Sequence, residues 1–486
     1  MISPSLAEPE PAEVVDPMAP PSYDRATAAR IAGISRALSQ GGDVSVDEIR
    51  AAAGLAPRAA SVTGFRQQMI LPPAQPSVFN LRLALTMLSQ GRQRQDDERV
   101  RLAQGTRGDT ALAFSGGLVT LATLRDAMTR TGMQTDPSGP LRIPVVLLED
   151  TVLRLSPGDV IEMSRTDGAF IMSFGRVEID GATLRTVGEL NTTIQSYRPF
   201  IVVAGTGSMT MRDATIEGLG FGDTAKYSGV SVLGHPLRPM DGVTEILDSR
   251  MSDVLSLSLT AVNGARVTGN RFADMRSAAV RMSASPRSAV SDNIFHGAGP
   301  TNAIRVLDRS DNVSLTGNIL LSGERAGIVV RRSHAAMVAS NVVWGRDGGG
   351  IKLQETTCGV IADNTLLDSR QKGIEIRASM AATVRNNLIA GNRSAGIWIS
   401  AQANDAMTEI TANRLSGNGA GLVGATAASV SLVSNDLTAQ MPRLADGDLT
   451  DASAAIAGDL TGDAPMLLTG AGAIAPAILT CEGDEA

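Results

Sequence analysis

Aromatic residues are scarce, making up 3% of a 486-residue chain with two tryptophans and three tyrosines. A core this poor in large rings has to be filled by Val, Ile, Leu and Ala, packed in many short and similar elements. Cysteine is almost absent as well. Cys358 and Cys481 are the two present, they follow no metal-binding or framework spacing, and Cys481 falls in what reads as a loose tail, so a structural disulfide is not expected. No uninterrupted apolar run approaches the roughly 18 residues that a membrane-spanning helix needs. The N-terminal "MISPSLAEPEPAEVVDPMAPPSYD" has neither a basic n-region nor an apolar h-region. It reads as the start of a cytoplasmic protein or as a mature terminus left after removal of a signal. The net charge of −7 speaks against a dedicated nucleic-acid binder. Cys/His or His/Glu zinc spacings, Asp-rich calcium loops, phosphate-binding Gly loops and Gly-x-Ser-x-Gly elbows are all missing, so no metal and no cofactor is expected.

What is there divides into four regions. Residues 1–24 are a flexible Pro/Glu-rich segment. Residues 25–113 form a helical region, with apolar residues at helical spacing over 25–55 and 77–104. Gly41 and Gly42 interrupt the first stretch, and Ser45 is a plausible N-cap for a second short helix. From Phe114 the texture changes to short β-rich runs punctuated by Gly, Asp and Ser, and these continue to residue 438. Residues 439–486 form an acidic cap or tail; from residue 436 onward there are nine acids against one Arg.

The strongest signal is repetition. Phrases of the type "VTGN", "VSDN" and "LTGN" end at Asn270, Asn293, Asn318, Asn341, Asn364, Asn387, Asn413 and Asn435, at intervals of 23, 25, 23, 23, 23, 26 and 22. A second phrase, "GIVV", "GIKL", "GIEI" and "GIWI", begins at Gly327, Gly350, Gly373 and Gly396. This period is too short for paired helices and too long for hexapeptide coils, and it lacks the leucine spacing of a leucine-rich repeat. It predicts an all-β parallel β-helix with three short strands per coil of about 23 residues. The Asn column is structural, because stacked amides can bond to one another and Asn tolerates left-handed turns. Ile328, Ile351, Ile374 and Ile397 follow the repeated Gly and are expected inside.

In such a solenoid each position lies about 4.8 Å above its equivalent in the previous coil. The residues after the apolar triplet then form an exterior ladder: Asp308 and Arg309; Arg331, Arg332 and His334; Gln354 and Glu355; Arg377. Residues 271–332 carry nine Arg and five acids. A basic stripe of this kind suits an extended anionic polymer, although an exposed ladder must be polar in any case. Of the histidines His235, His296 and His334, only His334 lies on this ladder.

Several phrases coincide with one family. "GAFIMSFGRVEIDGATL" (168–184), "YRPFIVVAGTG" (197–207), "AKYSGVSVLGHPLRP" (225–239) and the succession "AGIVVRRS", "GGIKLQET", "KGIEIRAS" resemble the periplasmic mannuronan C5-epimerases of bacterial alginate biosynthesis. So does "SGGLVTLATLRDAM" (115–128), and the likeness spans roughly residues 114–400. The resemblance implies a right-handed parallel β-helix with a groove for polymannuronate, and a periplasmic or secreted location. It also implies C5 proton abstraction by a His base in an Asp-Pro-His-Asp motif, with a cation to neutralise the carboxylate. By coil register that motif should fall within "RMSASPRS" (281–288), where it is missing. The family's next Arg aligns at Asp308, with Arg309 one place on, while Arg332, Glu355 and Arg377 match its later Arg, Glu and Arg.

Three readings follow. The first is a β-helix that binds an anionic, uronic-acid exopolysaccharide during its synthesis, modification or export, in company with other exopolysaccharide proteins and without the standard base. The second is an active C5-epimerase or lyase on a different polyuronate, with His334 or a tyrosine (Tyr197, Tyr227) as base and Arg309 assisting. The third is a structural or interaction solenoid with no glycan. On the first two readings Arg331, Arg332, Glu355, Arg377 and Tyr227 contact the polymer.

Overall fold

The structure is a computed structural model and describes residues 25–42, 44–53, 57, 70–89, 96–235, 237–477, 479 and 481; the expected N-terminal segment 1–24 lies outside them. Valine- and isoleucine-rich triplets separated by tight turns form a right-handed β-solenoid of about 13 turns, about 24 residues each. Its walls are three sheets of 15, 14 and 12 strands. Within a coil the chain passes from the first sheet (for example Ile304–Leu307) to the second (Ser314–Thr316) and then the third (Ile319–Leu321), before rejoining the first at Ile328–Arg331. Neighbouring strands within each sheet pair in parallel, except at the two ends of the solenoid.

Inside, side chains stack in register. Ile304, Ile328, Ile351, Ile374, Ile397 and Leu422 form one column, with exposures of 0–1%. At the corner between the second and third sheets, Asn318 Nδ2 donates to Asn341 Oδ1 (3.0 Å), and Asn341 Nδ2 to Asn364 Oδ1 (2.9 Å). The ladder runs in this way from Asn270 to Asn435. Two further polar columns went unread in the sequence. Asn392, Asn418 and Gln440 form one. Ser285, Ser310 and Ser333 form the other, each hydroxyl accepting from the backbone N–H of the coil before. These amides and hydroxyls satisfy corner N–H groups that the sheets leave unpaired.

Helices close and flank the solenoid. Helices α1 (Arg25–Ser39) and α2 (Val46–Ala52) lie outside the third sheet, with Ile31 and Ile49 in one cluster with Ile319 and Val342. Ser45 caps α2 in a capping box with Glu48, as its sequence position predicts. The stretch 77–104 is not one long helix: Gln75–Asn80 is a strand antiparallel to Thr110–Ser115. Among the described residues there, α3 (Leu81–Ser89) and α4 (Asp97–Leu102) are the helical segments. They cover the outer face of the first sheet's early coils, above Phe170, Phe200 and Phe221. Helix α5 (Leu121–Arg130) closes the lower mouth by burying Leu124, Ala127 and Met128.

At the upper end Ala445–Gly447 adds a last strand to the first sheet, α6 (Ser453–Gly458) buries Ile456, and Met466–Thr469 pairs antiparallel with Ser429–Val433. The expectation about cysteine is corrected here. The chain turns back down the outside, with the Ile474 and Ala477 N–H groups donating to the Asn404 and Asp405 carbonyls, and Cys481 forms a disulfide with Cys358. Proximity came from this return path, which no sequence spacing announces.

Candidate functional site: a cationic groove on the first sheet

Along the outer face of the first sheet two exterior columns alternate with the buried ones, as the period of two requires. One runs Arg281, Arg305, Val329, Lys352, Glu375, Trp398, Val423. The other runs Ser283, Leu307, Arg331, Gln354, Arg377, Ser400. The loops entering each strand form one wall. Gly348 and Gly349 let the loops of adjacent coils stack closely in that wall, since a Cβ at Gly348 would lie 2.4 Å from the Ala326 nitrogen and one at Gly349 2.7 Å from the Lys372 carbonyl. Between this wall and the columns lies a groove of about 480 Å³, with Arg305, Arg331, Lys352, Arg325 and Lys372 among its lining. Below Arg281 the face is closed, because Ser231 and Ser258 are buried beneath the short turn Ala225–Tyr227.

The cations of this groove differ in their partners. Among the described residues, Arg281, Arg305 and Arg331 meet no acid within 4.0 Å, and the Nε atoms of Arg305 and Arg331 are buried without a hydrogen-bond partner. Burial, and then the charges of Arg281 and Arg331, hold the Arg305 pKa below its usual value. Three guanidiniums with no facing carboxylate make this part of the face strongly cationic. Lys352 and Lys372, by contrast, share Glu375, at 3.2 and 3.3 Å.

The expected ladder splits in two. Arg331, Gln354 and Arg377 share a strand column facing out. Asp308, Arg332 and Glu355 come one residue later, where the backbone is left-handed (φ 45°, 49° and 54°) and leaves the sheet. There Arg332 pairs with Asp308, and with Glu355 at 3.7 Å; its charge is already met and lies outside the groove lining. Arg309 follows in the same turn, exposed and also left-handed.

His334 is exposed further round this corner. Its Nδ1 accepts the Thr357 N–H at 3.1 Å, while its own backbone N–H donates to Asp311. In the neutral ring that arrangement leaves the proton on Nε2, which presents a donor and not a base. Tyr227 requires a correction. It is 0% exposed, its hydroxyl donates to Asp97 at 2.5 Å, and the turn that carries it lies under α4. Burial beside that carboxylate drives its pKa far up. Tyr197 is equally buried, bonded to the Gly168 and Ala169 carbonyls. Neither phenol is open to solvent.

The coil at 281–288 is a filled corner. The Ser285 and Ser288 hydroxyls accept the Val262 and Ala265 N–H groups, and Arg281 alone adds charge to the outward column, one coil below Arg305 at the groove's lower end. The sequence reading missed Arg281, Arg305, Lys352 and Lys372. The signal that could have found the first three was the strand's middle outward position, two residues before Arg331 in register, taken as a column in its own right; Lys372 lies off that column, at the start of its strand.

A fold of three parallel sheets with one groove along an outer face defines a class, and the family model for the right-handed β-helix region matches residues 179–343, 255–414 and 335–437. The chain belongs to that family, which spans more than half of it. No curated protein matches significantly. Among solved structures, the periplasmic alginate epimerase AlgG superposes with a TM-score of 0.66 at 20% identity, covering 74% of this chain and 92% of that one. A singly substituted mutant of the same epimerase superposes with a TM-score of 0.67 at 19% identity, covering 78% and 99%. Among the described residues no helix is long and apolar enough to cross a membrane, and no cluster of His, Cys, Asp and Glu could hold a metal.

Proposed function

We propose that this chain binds an anionic, uronate-bearing exopolysaccharide along the groove of the first sheet, and does so without epimerising or cleaving it. The observation that carries the reading is the set of unpaired guanidiniums at Arg281, Arg305 and Arg331, two of them with orphaned Nε donors. A carboxylate on each successive sugar would supply the missing partners bidentately. The structural likeness to an alginate epimerase supports a polysaccharide as the ligand. The occupied lone pair of His334 and the buried tyrosines support binding without proton abstraction. A disulfide and a periplasmic structural relative support a periplasmic or secreted setting, where other proteins of exopolysaccharide synthesis or export would be partners.

The test is titration of polymannuronate and other polyuronates against the protein at low and high salt, with proton NMR of the polymer afterwards. Binding should weaken as screening shortens from about 8 to about 3 Å between 0.15 and 1 M salt. Arg305→Ala with Arg331→Ala should lower affinity at least about tenfold, as expected for losing hydrogen bonds to a charged group. Wild-type affinity in that double variant would sink the groove assignment, and new signals in the polymer's NMR spectrum would sink the non-catalytic part.

A further inference from the structure

The groove does not keep one character along its length. Its lower coils carry the free cations Arg281, Arg305 and Arg331. One coil further the positive charge is partly offset, with Glu375 held between Lys352 and Lys372. Directly above Glu375 in the same column stands Trp398, half-buried, with the Lys372 ammonium 4.4 Å from its ring centroid. From there upward the outward positions are Ser400, Val423 and Ala425, with Asp446 directly above Val423 and paired with Arg443, and Trp398 packs with Ala395, Ala420 and Val423 in a small apolar cluster. From Arg305 to Trp398 is four coil steps, roughly 19 Å at about 4.8 Å per step.

A polymer with a carboxylate on every sugar would be well matched over the lower coils. Over the upper ones it would set carboxylates against Glu375 and bury them against an indole and aliphatic side chains, where a charge is costly. A partly exposed indole one coil above the groove, on the same outward column as Glu375, is suited to the apolar C–H face of an uncharged pyranose, for which it supplies large, rigid contact area. We infer that the ligand is an acidic heteropolysaccharide, bound with uronate residues over Arg281, Arg305 and Arg331 and with an uncharged sugar ring against Trp398. The inference rests on the polysaccharide reading above and narrows it: a uniformly acidic polymer is the poorer ligand.

The experiment compares oligosaccharides of polymannuronate, uronate at every position, with those of hyaluronan and xanthan, in which uronates are interspersed with uncharged sugars. Affinities are measured at equal charge number, and Trp344→Phe leaves Trp398 as the only indole reporter. A mixed oligosaccharide should bind more tightly than polymannuronate and shift the Trp398 fluorescence. Trp398→Ala should erase that preference, costing about two- to tenfold for the mixed ligand and little for polymannuronate. Glu375→Gln frees Lys352 and Lys372 and should raise polymannuronate affinity by about two- to fivefold; as a gain, it cannot be mistaken for misfolding. Polymannuronate binding as tightly as either mixed polymer, with Trp398→Ala and Glu375→Gln both silent, would overturn this inference while leaving the groove intact. Binding that survives loss of both Arg305 and Arg331 would instead overturn the reading beneath it.

Discussion

Asn341 offers a sharp test of how the corners are held. Its amide is 0% exposed and fully used. Nδ2 donates to the carbonyls of Leu315 (2.8 Å) and Ala339 (3.0 Å) and to Asn364 Oδ1 (2.9 Å). Oδ1 accepts the backbone N–H of Asn318 (2.9 Å) and its Nδ2 (3.0 Å). Asn341→Ala strands the Asn318 N–H and the Leu315 carbonyl, each at about 1–3 kcal/mol when left unsatisfied. A water entering the small void recovers part of this, so about 3–5 kcal/mol is expected in total. Asn341→Asp keeps the shape and the acceptor but aims a buried carboxylate at two carbonyl oxygens and an amide oxygen. At neutral pH it should therefore cost more than Ala.

The same argument fixes a pH dependence. Burial among acceptors raises the folded pKa of the new Asp above its unfolded value of about 3.9. A raised folded pKa gives a stability contribution that is complete below the unfolded pKa and lost as pH rises through the folded one. The deficit of Asn341→Asp against wild type should thus shrink between pH 7 and about pH 4. Urea denaturation measures the deficit. Because solenoids unfold by segments, hydrogen exchange at the Asn318 amide reports the local effect. If the Asp variant is at least as stable as the Ala variant at neutral pH, or the Asn318 amide keeps its protection in both, the ladder fills space and does not hold the corner by hydrogen bonds.

Other outcomes follow from the same contacts. Ile351→Ala, in register between Ile328 and Ile374, should cost about 3–5 kcal/mol in denaturant, the upper part of the usual range, because backbone ladders on both sides prevent collapse. Reducing the Cys358–Cys481 disulfide should cost about 2–4 kcal/mol, seen as lost exchange protection at the Ile474 and Ala477 amides while the Asn column stays protected. Arg332→Ala should change polyuronate affinity less than Arg331→Ala does, because Asp308 and Glu355 already hold Arg332. Burial lowers the pKa of His296, so its share of stability is lost as pH falls below the unfolded value of about 6.5; His296→Gln should flatten that part of a melting-temperature profile.

The fold was legible because β-solenoids write their geometry into the sequence at a fixed period. Asn and Gly phrases repeating near 23 residues give the coil, and Ile after Gly gives the inside. The termini were less legible because their partners are remote in sequence. Gln75–Asn80 became a strand because the open edge of Thr110–Ser115 needed covering, although its apolar spacing suits a helix. Cys481 met Cys358 through a return path held by backbone bonds that no side-chain pattern records.

The groove was half legible, and the reason is the left-handed residue that follows each strand of the first sheet from Ser256–Thr260 to Leu422–Ala425. On the strand itself, a column stacks the same position of successive coils. Arg281 over Arg305 therefore places like charges about 4.8 Å apart in backbone, with nothing beside them to neutralise either. One residue beyond the strand the chain has turned, and successive coils offer Asp308, Arg332 and Glu355, an alternation that closes on itself. A sequence alignment of coils sees two adjacent charged columns and cannot tell which one is spent. The axial neighbours decide it: opposite charges on adjacent coils make a brace for the solenoid, and like charges on adjacent coils leave a cationic face uncompensated.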